Sequence, residues 1–337
     1  MEEQTVNGNG RAVAETLLSK PEDKIGIPAA GVSPDGATVA WAPNREPVNK
    51  NVYLEQTTYF DQHAYDVYST ETGELIGTHV SATTVLGAIA KPWLTRWYGE
   101  LGWREASRKM REAQDNGSAV HHAIEMLVTG GAVVFHPHRS KRRVLTDIQV
   151  DEIAAQHHNR IAILEDQDLQ IQVGRFSQFM AVTGAKVHYA ECMVWSPTLK
   201  CAGTVDLVLE IPGGKYPIAG SKPVELPGGL YIADIKTGAE SEDHALQIAA
   251  YKYMFEEMTG QAIAGGLIIH TNATQIKGGI EGFKAVHYDL DELATALTQF
   301  RNVHQVWTDR NPGWAPKVKS FPVVITMNRA LKDAYAA

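Results

Sequence analysis

The chain has 337 residues, 44% hydrophobic and 21% charged. That is the composition of a soluble globular protein, long enough to bury a sizeable core in one large domain or two modest ones. A net charge of −8 argues against indiscriminate coating of nucleic acid, but leaves room for an enzyme whose cleft is rich in carboxylates and whose basic patches are local. No apolar run reaches bilayer-spanning length and Met1-Glu2-Glu3 lacks the basic-then-apolar layout of a secretory signal. Cytoplasmic residence with no membrane partner is therefore the expectation.

Residues 1–50 mix Gly, Pro, Asn and scattered charge without sustained periodicity, and read as an irregular or disordered segment. From 51 to 76 the runs 53–60 and 64–68, followed by Thr72-Gly73, predict a β-hairpin or meander. A helical region starts near Ser81, where Ser81 or Thr83 can cap the run 85–90, and Pro92 separates it from a second amphipathic stretch. Trp93, Trp97 and Trp103 cluster there with Arg96, Arg104, Arg108, Lys109 and Arg111; the helical spacing of Trp93 and Trp97 favours core packing over a base-stacking platform.

Residues 117–129 read as a further helix with Val120, Ile124, Leu127 and Val128 as its apolar stripe, ended by Gly130-Gly131. His121 and Glu125 share a face, whereas His122, about 100° round the helix, should look elsewhere. The basic run 136–143 reads as a solvated surface, with a phosphate-contacting loop as the alternative. Residues 146–180 read as helix-rich, and His157 and His158 within them as structural.

The pattern then changes. Residues 186–195, 202–211 and 230–236 predict three strands, with the Pro/Gly-rich excursion 212–229 as a loop or extra hairpin. Residues 244–259 predict a helix, 264–271 and 283–288 two more strands, and 291–310 a long final helix before an irregular tail. The two cysteines, Cys192 and Cys201, read as reduced thiols; two cannot supply the four thiolates of a standard Fe–S or zinc-ribbon site.

Three strings carry chemistry. Asp206 closes Gly203-Thr-Val-Asp inside a β-branched run, where an ionised carboxylate is costly unless it is paired or metal-bound; an exposed polar-face aspartate is the alternative. Asp234 and Lys236, two apart on a strand, point to the same face, with Ile235 turned to the other. Gln247 and Tyr251 lie one turn apart on the following helix. Two carboxylates beside a lysine suit a hard divalent metal next to a cation that steadies a water or a phosphate.

In order, Gly117-Ser-Ala-Val-His121, Glu191, Gly203-Thr-Val-Asp206, Asp234-Ile-Lys236 and Gln247-x-x-x-Tyr251 resemble the RecB-like branch of the PD-(D/E)XK nuclease superfamily, the branch of bacteriophage exonucleases and CRISPR-associated Fe–S exonucleases. The likeness covers roughly residues 50–310. It implies an α/β restriction-endonuclease-like core: a central mixed β-sheet flanked by helices, with helical N-terminal additions. The expected division is a nuclease domain over 51–310, comprising a helical part at 81–180 and a catalytic core at 186–310, followed by a tail at 311–337. It makes His121, Asp206 and Asp234 side-chain ligands of Mg²⁺ or Mn²⁺, with the Ile235 carbonyl as a further oxygen. Lys236 would orient the attacking water, Gln247 and Tyr251 would line the cleft, and Glu191 would act behind the ligands or on a second metal. Val205 stands where the wider superfamily has proline, and the cysteines of the Fe–S members are missing, so no cluster is expected.

The function implied is a metal-dependent DNA exonuclease acting on DNA ends in phage-type recombination or DNA processing, in the host cytoplasm, and serving a recombination or annealing partner. The alternatives are an endonuclease on the same core, a DNA-end-binding partner with a decayed site, and a small-molecule metallohydrolase. No G-x-x-x-x-G-K-[ST] string is present, so no fused motor is expected.

Overall fold

The computed structural model describes residues 49, 51–59, 62–135, 147–219, 222–272 and 282–316. The expectations for residues 1–48, for the basic run 136–143 and for the tail beyond residue 316 lie outside these.

Strands β1 (Val52–Tyr59), β2 (Gln62–Ser69) and β3 (Leu75–Ser81) form the predicted antiparallel meander. Ser81 caps α1 (Ala82–Leu86), its hydroxyl accepting from the Thr83 N–H, but the helix is a single short turn rather than the predicted run to residue 90. Pro92 opens α2 (Pro92–Leu101) at the position where its missing N–H costs nothing. Beyond Gly102 comes α3 (Trp103–Val128), one continuous 26-residue helix. The boundary read at Gly117 does not exist. A Cβ there would stand 3.2 Å from Thr237 Oγ1, so the glycine marks a close approach inside the helix rather than its start.

The tryptophans correct a second expectation. Trp93 and Trp103 are 64% and 74% exposed, and Trp97 is half-buried, edge-on to Tyr98. Amphipathic spacing marks a face, and in α2 no residue is fully buried.

A small parallel sheet of β4 (Ala132–Phe135) and β5 (Ile161–Leu164) flanks α4 (Asp147–Gln156). β5 falls in the stretch read as helix-rich: four apolar residues, Ile-Ala-Ile-Leu, fit either period. Next is α5 (Gln167–Thr183), capped by the Asp166 carboxylate and ended by Gly184. His157 accepts a structural role, its ring meeting the Gly130 carbonyl at 3.2 Å.

The core follows the predicted order: β6 (Lys186–Ser196), β7 (Cys201–Ile211), the hairpin β8 (Gly214–Ala219) and β9 (Lys222–Leu226), β10 (Gly229–Lys236), α6 (Asp243–Thr259), β11 (Ile263–His270), β12 (Lys284–Tyr288) and α7 (Leu290–Arg310). Asp289 and Glu292 close a capping box on α7, worth about 1 kcal/mol.

The result is an α/β architecture with a mixed eight-stranded sheet in the order β1-β2-β3-β7-β10-β11-β12, with β6 on β7. β10 and β11 run parallel, joined by α6 as the crossover that parallel strands require. The sheet is covered on both faces. One core joins α3 and α5 to Leu207, Leu209, Tyr231, Ala233 and Ile235. The other joins α1, α6 and α7 to Val205, Val208, Ile232 and Ile268. Burial on both sides explains the near-continuous apolar reading of β7 and β10. No helix among the described residues is long and apolar enough to cross a membrane.

Cys192 and Cys201 are buried and unbridged, pushed up to about 12 by burial, which suppresses the thiolate. They do not face each other: Cys192 sits opposite Val205 and Cys201 opposite Ser196.

Candidate functional site

The site begins with an interruption in the sheet. β6 pairs with β7 from Lys186 to Ser196, skipping only His188 and Glu191, so the other edge of β7 must serve two partners. β3 takes its start, at Cys201 and Ala202, and β10 takes its end, from Leu207 to Ile211. Residues 203–206, the Gly-Thr-Val-Asp string, lie between and belong to neither ladder.

Each residue of that gap has another use. A Cβ on Gly203 would come within 2.5 Å of the Tyr251 ring, so glycine is what lets α6 bring Tyr251 against the strand. The Thr204 hydroxyl bonds the Tyr65 phenol at 2.9 Å. Val205 packs into the α6 core. Asp206 replaces the missing ladder, its Oδ2 accepting the Ile235 N–H at 2.8 Å.

Ile235 then presents both backbone groups to the opening. Alternate residues of a strand aim their N–H and C=O at alternate neighbours. Lys236 faces β11, its carbonyl accepting from Thr271 N at 3.0 Å, so Ile235 faces the β7 side. Its carbonyl meets His121 Nε2 at 3.0 Å, across 114 residues of chain. His121 Nδ1 stands 3.5 Å from Asp206 Oδ2.

Glu191 completes the cluster from the facing strand. β6 pairs Ala190 with Leu207 and Cys192 with Val205, and Glu191 sits between them in the left-handed conformation at φ 49°. Left-handed backbone is uncommon for a non-glycine residue and worth explaining where it occurs. Here it turns a carboxylate toward Asp206 and His121. Ligand atoms of His121, Glu191 and Asp206 all lie within 4.8 Å of one another, close enough for one ion to touch all three. An open cleft of about 580 Å³ lies against this trio, lined by Gly117, Ser118, His121, His122, Glu125 and Glu191.

Asp234, expected as a ligand, is not in the trio. It is buried beneath it, with Oδ2 2.5 Å from Lys236 Nζ and Oδ1 accepting from Gln247 Nε2 at 2.9 Å. Gln247 also contacts Lys236 Nζ at 3.3 Å and Tyr251 Oη at 3.3 Å. The predicted Asp234, Lys236, Gln247 and Tyr251 therefore form one polar network, next to the trio of His121, Glu191 and Asp206 and tied to it through Ile235.

The electrostatics follow from this crowding. Loss of hydration, then the carboxylates of Asp206, Glu125 and Asp234, push Glu191 up to about 8, although much of its side chain stays open to water. Burial, then Asp234, pushes Asp206 up to about 6, opposed by His121, Lys236 and the Ile235 N–H. Burial opposes the charge on Lys236, but Asp234 and Asp206 together hold its pKa above the ordinary lysine range. Burial and the nearby Asp234 keep Tyr251 a neutral phenol. Fully ionised, the site would hold more negative charge than Lys236 neutralises; burial and this excess together are why Glu191 and Asp206 keep their protons to higher pH than ordinary carboxyls.

Sequence reasoning missed two neighbours. His122, expected to look elsewhere, is on the cleft rim, its Nδ1 3.8 Å from Glu125 Oε2; at the wide mouth of an open cleft, a 100° rotation still faces the opening. His244, at the start of α6, is pushed down to about 4 by burial and then by Lys236, and stands neutral beside the network. Its position one turn before Gln247 was the available signal.

No family model matches the chain, and no curated protein shows significant sequence similarity to it.

Proposed function

We propose that the chain is a divalent-metal-dependent DNA nuclease of the RecB-like PD-(D/E)XK kind, acting on DNA ends. The observation that supports this reading most is the convergence of His121, Glu191 and Asp206 beside the Ile235 carbonyl, which bonds His121 Nε2, with Lys236 held next to them on Asp234. Two carboxylates, one carbonyl and one imidazole are a donor set that suits Mg²⁺ or Mn²⁺, the nitrogen favouring Mn²⁺. When bound, such an ion activates water and relieves charge on a phosphodiester oxygen.

The remaining work falls to the chain. Asp206 and Glu191, crowded enough to retain protons when no cation is present, give them up to a cation. Ile235 fixes the Asp206 rotamer through its N–H. Asp234 carries no ligand duty in this arrangement; it holds the Lys236 ammonium in place and keeps it charged. Lys236 is thereby positioned to orient a water or to stabilise the negative charge that builds on a phosphoryl oxygen. Gln247 steadies both members of that pair, and Gly203 lets Tyr251 brace Gln247 from behind. The cleft is open, which suits a polymer better than an enclosed small molecule.

The test is digestion of single- and double-stranded DNA, labelled at each end in turn, with Mg²⁺, Mn²⁺ or EDTA. Metal-dependent release of label is expected, with covalently closed circular DNA left intact. Cleavage of the circle makes the enzyme an endonuclease. Undiminished cleavage in EDTA, or by Lys236→Ala, overturns the assignment.

A further inference from the structure

The exposed aromatic residues of α2 and α3 have no role in the site. Trp93 and Trp103 are the two most exposed large hydrophobic side chains among the described residues. Trp103 belongs to a connected aromatic group: Trp97 meets Tyr98 edge-on at 5.4 Å, and Tyr98 lies 5.0 Å from Trp103 with ring planes 31° apart, while Trp93 stands one turn before Trp97 on α2. The group is held in place from both ends. Lys91 pairs with Asp243 at 2.9 Å at the foot of α2, and Ala106 is fully buried one turn into α3.

The position of Trp103 on α3 gives the group a direction. Trp103 and His121 are eighteen residues, or five full turns, apart on one unbroken helix, so they lie on the same line about 27 Å from each other. Met110, Arg111, Gln114 and Ser118 fall between them within about 100° of that line, and all four are exposed. The buried residues Ala106, Val120, Ala123 and Ile124 lie on one flank of that line and round the back, from about 60° to about 160° away, and the exposed four lie on the line and its opposite flank. One exposed stripe therefore runs from the aromatic group to the cleft, whose wall begins at Gly117 and Ser118.

Its charge runs against that of the molecule. The whole chain carries −8, yet residues 91–116 hold six basic and four acidic side chains. Arg108 is engaged with Glu105 and Glu112. Arg104 and Arg111 are exposed and stand about 100° and about 80° round α3 from Trp103, on the flank away from the buried residues.

We propose that this stripe is a track for a single unpaired nucleic-acid strand, with bases stacking on Trp103 and Trp93 while Arg104 and Arg111 take phosphates, so that the strand is led along α3 into the cleft. An unpaired strand is the fitting occupant because its base faces are free to stack, whereas those of a duplex interior are already covered. The basic side chains supply the complementary charge for its phosphates. The track rests on the reading that the chain acts on nucleic acid, and goes beyond it in naming where and how the strand is held outside the metal site.

The test is binding by the full chain in Ca²⁺ or EDTA, so that turnover does not enter. The probes are fluorescein-labelled oligothymidylate of about 20 nucleotides and a blunt duplex of equal length. Oligothymidylate is expected to quench tryptophan emission, and Trp103→Ala to remove most of that quenching. The double variant Trp93→Ala/Trp103→Ala should bind the single strand on the order of tenfold more weakly, with little change for the duplex. Arg104→Ala and Arg111→Ala should each reduce the salt dependence of single-strand binding by about one ion.

All four side chains are solvent-exposed, so the variants should fold, and an unchanged melting temperature checks this. Unchanged single-strand affinity in the double variant overturns the track while leaving metal-dependent cleavage, if observed, untouched. The same holds if the double variant converts a dimer to a monomer in sedimentation with single-strand affinity unaltered, which would make the stripe a contact between copies. Failure of the wild-type chain to bind either probe overturns the track together with the nuclease reading.

Discussion

The two edges of β10 belong to one strand and end differently. Toward β11 the parallel ladder continues through Asp234–Ile268 and Ile235–Ile269 to Lys236–His270. Toward β7 the antiparallel ladder stops at Ala233–Leu207, and beyond it Asp206 and His121 take the backbone groups of Ile235. The completed edge stabilises the sheet. The interrupted edge releases a carbonyl, an amide and the space beside them without leaving the Ile235 N–H unsatisfied. Three dispersed elements, α3, β6 and β7, deliver ionisable side chains into that space. The difference teaches that the cluster of ionisable groups is placed where a ladder is ended early and its last bonds are made by side chains.

The most severe way to break the comparison is to remove the side chains on the open edge. Asp206→Asn should lower cleavage on the order of 10³-fold or more while keeping an amide oxygen for the Ile235 N–H, so thermal stability should change little. Lys236→Ala should abolish cleavage as completely but also leave Asp234 buried without its cation, a loss of about 3 kcal/mol. End-labelled digestion with parallel denaturant melts separates the two. Equal stability losses in both variants would contradict the division of labour between Asp206 and Asp234.

A packing change probes the same gap without touching a charge. Gly203→Ala places a methyl within 2.5 Å of the Tyr251 ring, and the displaced helix should cost about 1–3 kcal/mol. Because Tyr251 braces Gln247, activity should fall with stability, and Gly203→Ala/Tyr251→Phe should not restore it, since the clash is with the ring carbon and not the hydroxyl. A variant as stable as the parent would mean that the strand and α6 approach less closely.

A third test uses pH. Glu191 and Asp206 are acids raised to about 8 and about 6. The sign follows from linkage: the folded state binds these protons more tightly than the unfolded chain, so their contribution to stability is full below the unfolded carboxylate pKa and is lost as pH rises through about 6 and about 8. The metal-free protein should therefore melt at progressively lower temperature between about pH 5 and about pH 8. Added Mn²⁺ should reverse this, with affinity increasing over the same window and protons released on binding. Calorimetry in two buffers of different ionisation heat measures the proton count. Glu191→Gln should flatten the pH profile and weaken Mn²⁺.

The smallest expected effect falls on Ile235. Its side chain lies in the core beneath the sheet while its backbone faces the site. Ile235→Val should cost about 1 kcal/mol in stability and leave Mn²⁺ affinity, read by calorimetry, unchanged. A change in affinity would show that the side chain, not the carbonyl alone, shapes the opening.

Much of the fold was legible because the patterns are local. The alternation in β1 and β2, the apolar runs of β7 and β10, and the periodicity of α6 and α7 each specify their element within a dozen residues. So was the pairing of Asp234 with Lys236, which period-2 geometry places on one face. Other features depend on distance in the fold. Nothing in the run Ile161–Leu164 distinguishes strand from helix until β4 is beside it. The exposure of Trp93 and Trp103 depends on what fails to cover them, and a helical wheel cannot show that. That Glu191 rather than Asp234 clusters with His121 and Asp206 turns on the left-handed backbone at Glu191, which the sequence around it, Tyr-Ala-Glu-Cys-Met, does not announce.

The 114 residues separating His121 from Ile235 carry a kinetic consequence. β6 and β7 are adjacent in the chain, and β10 follows after one hairpin, so that antiparallel block can assemble by closing short loops. Docking α3 onto it closes a much longer loop, a step whose entropy must be met before any contact rewards it. In refolding from denaturant, sheet signal should therefore recover first and Mn²⁺ binding only afterwards, as a separable slower phase. A newly made chain would pass through a state with its sheet in place and its candidate site not yet assembled.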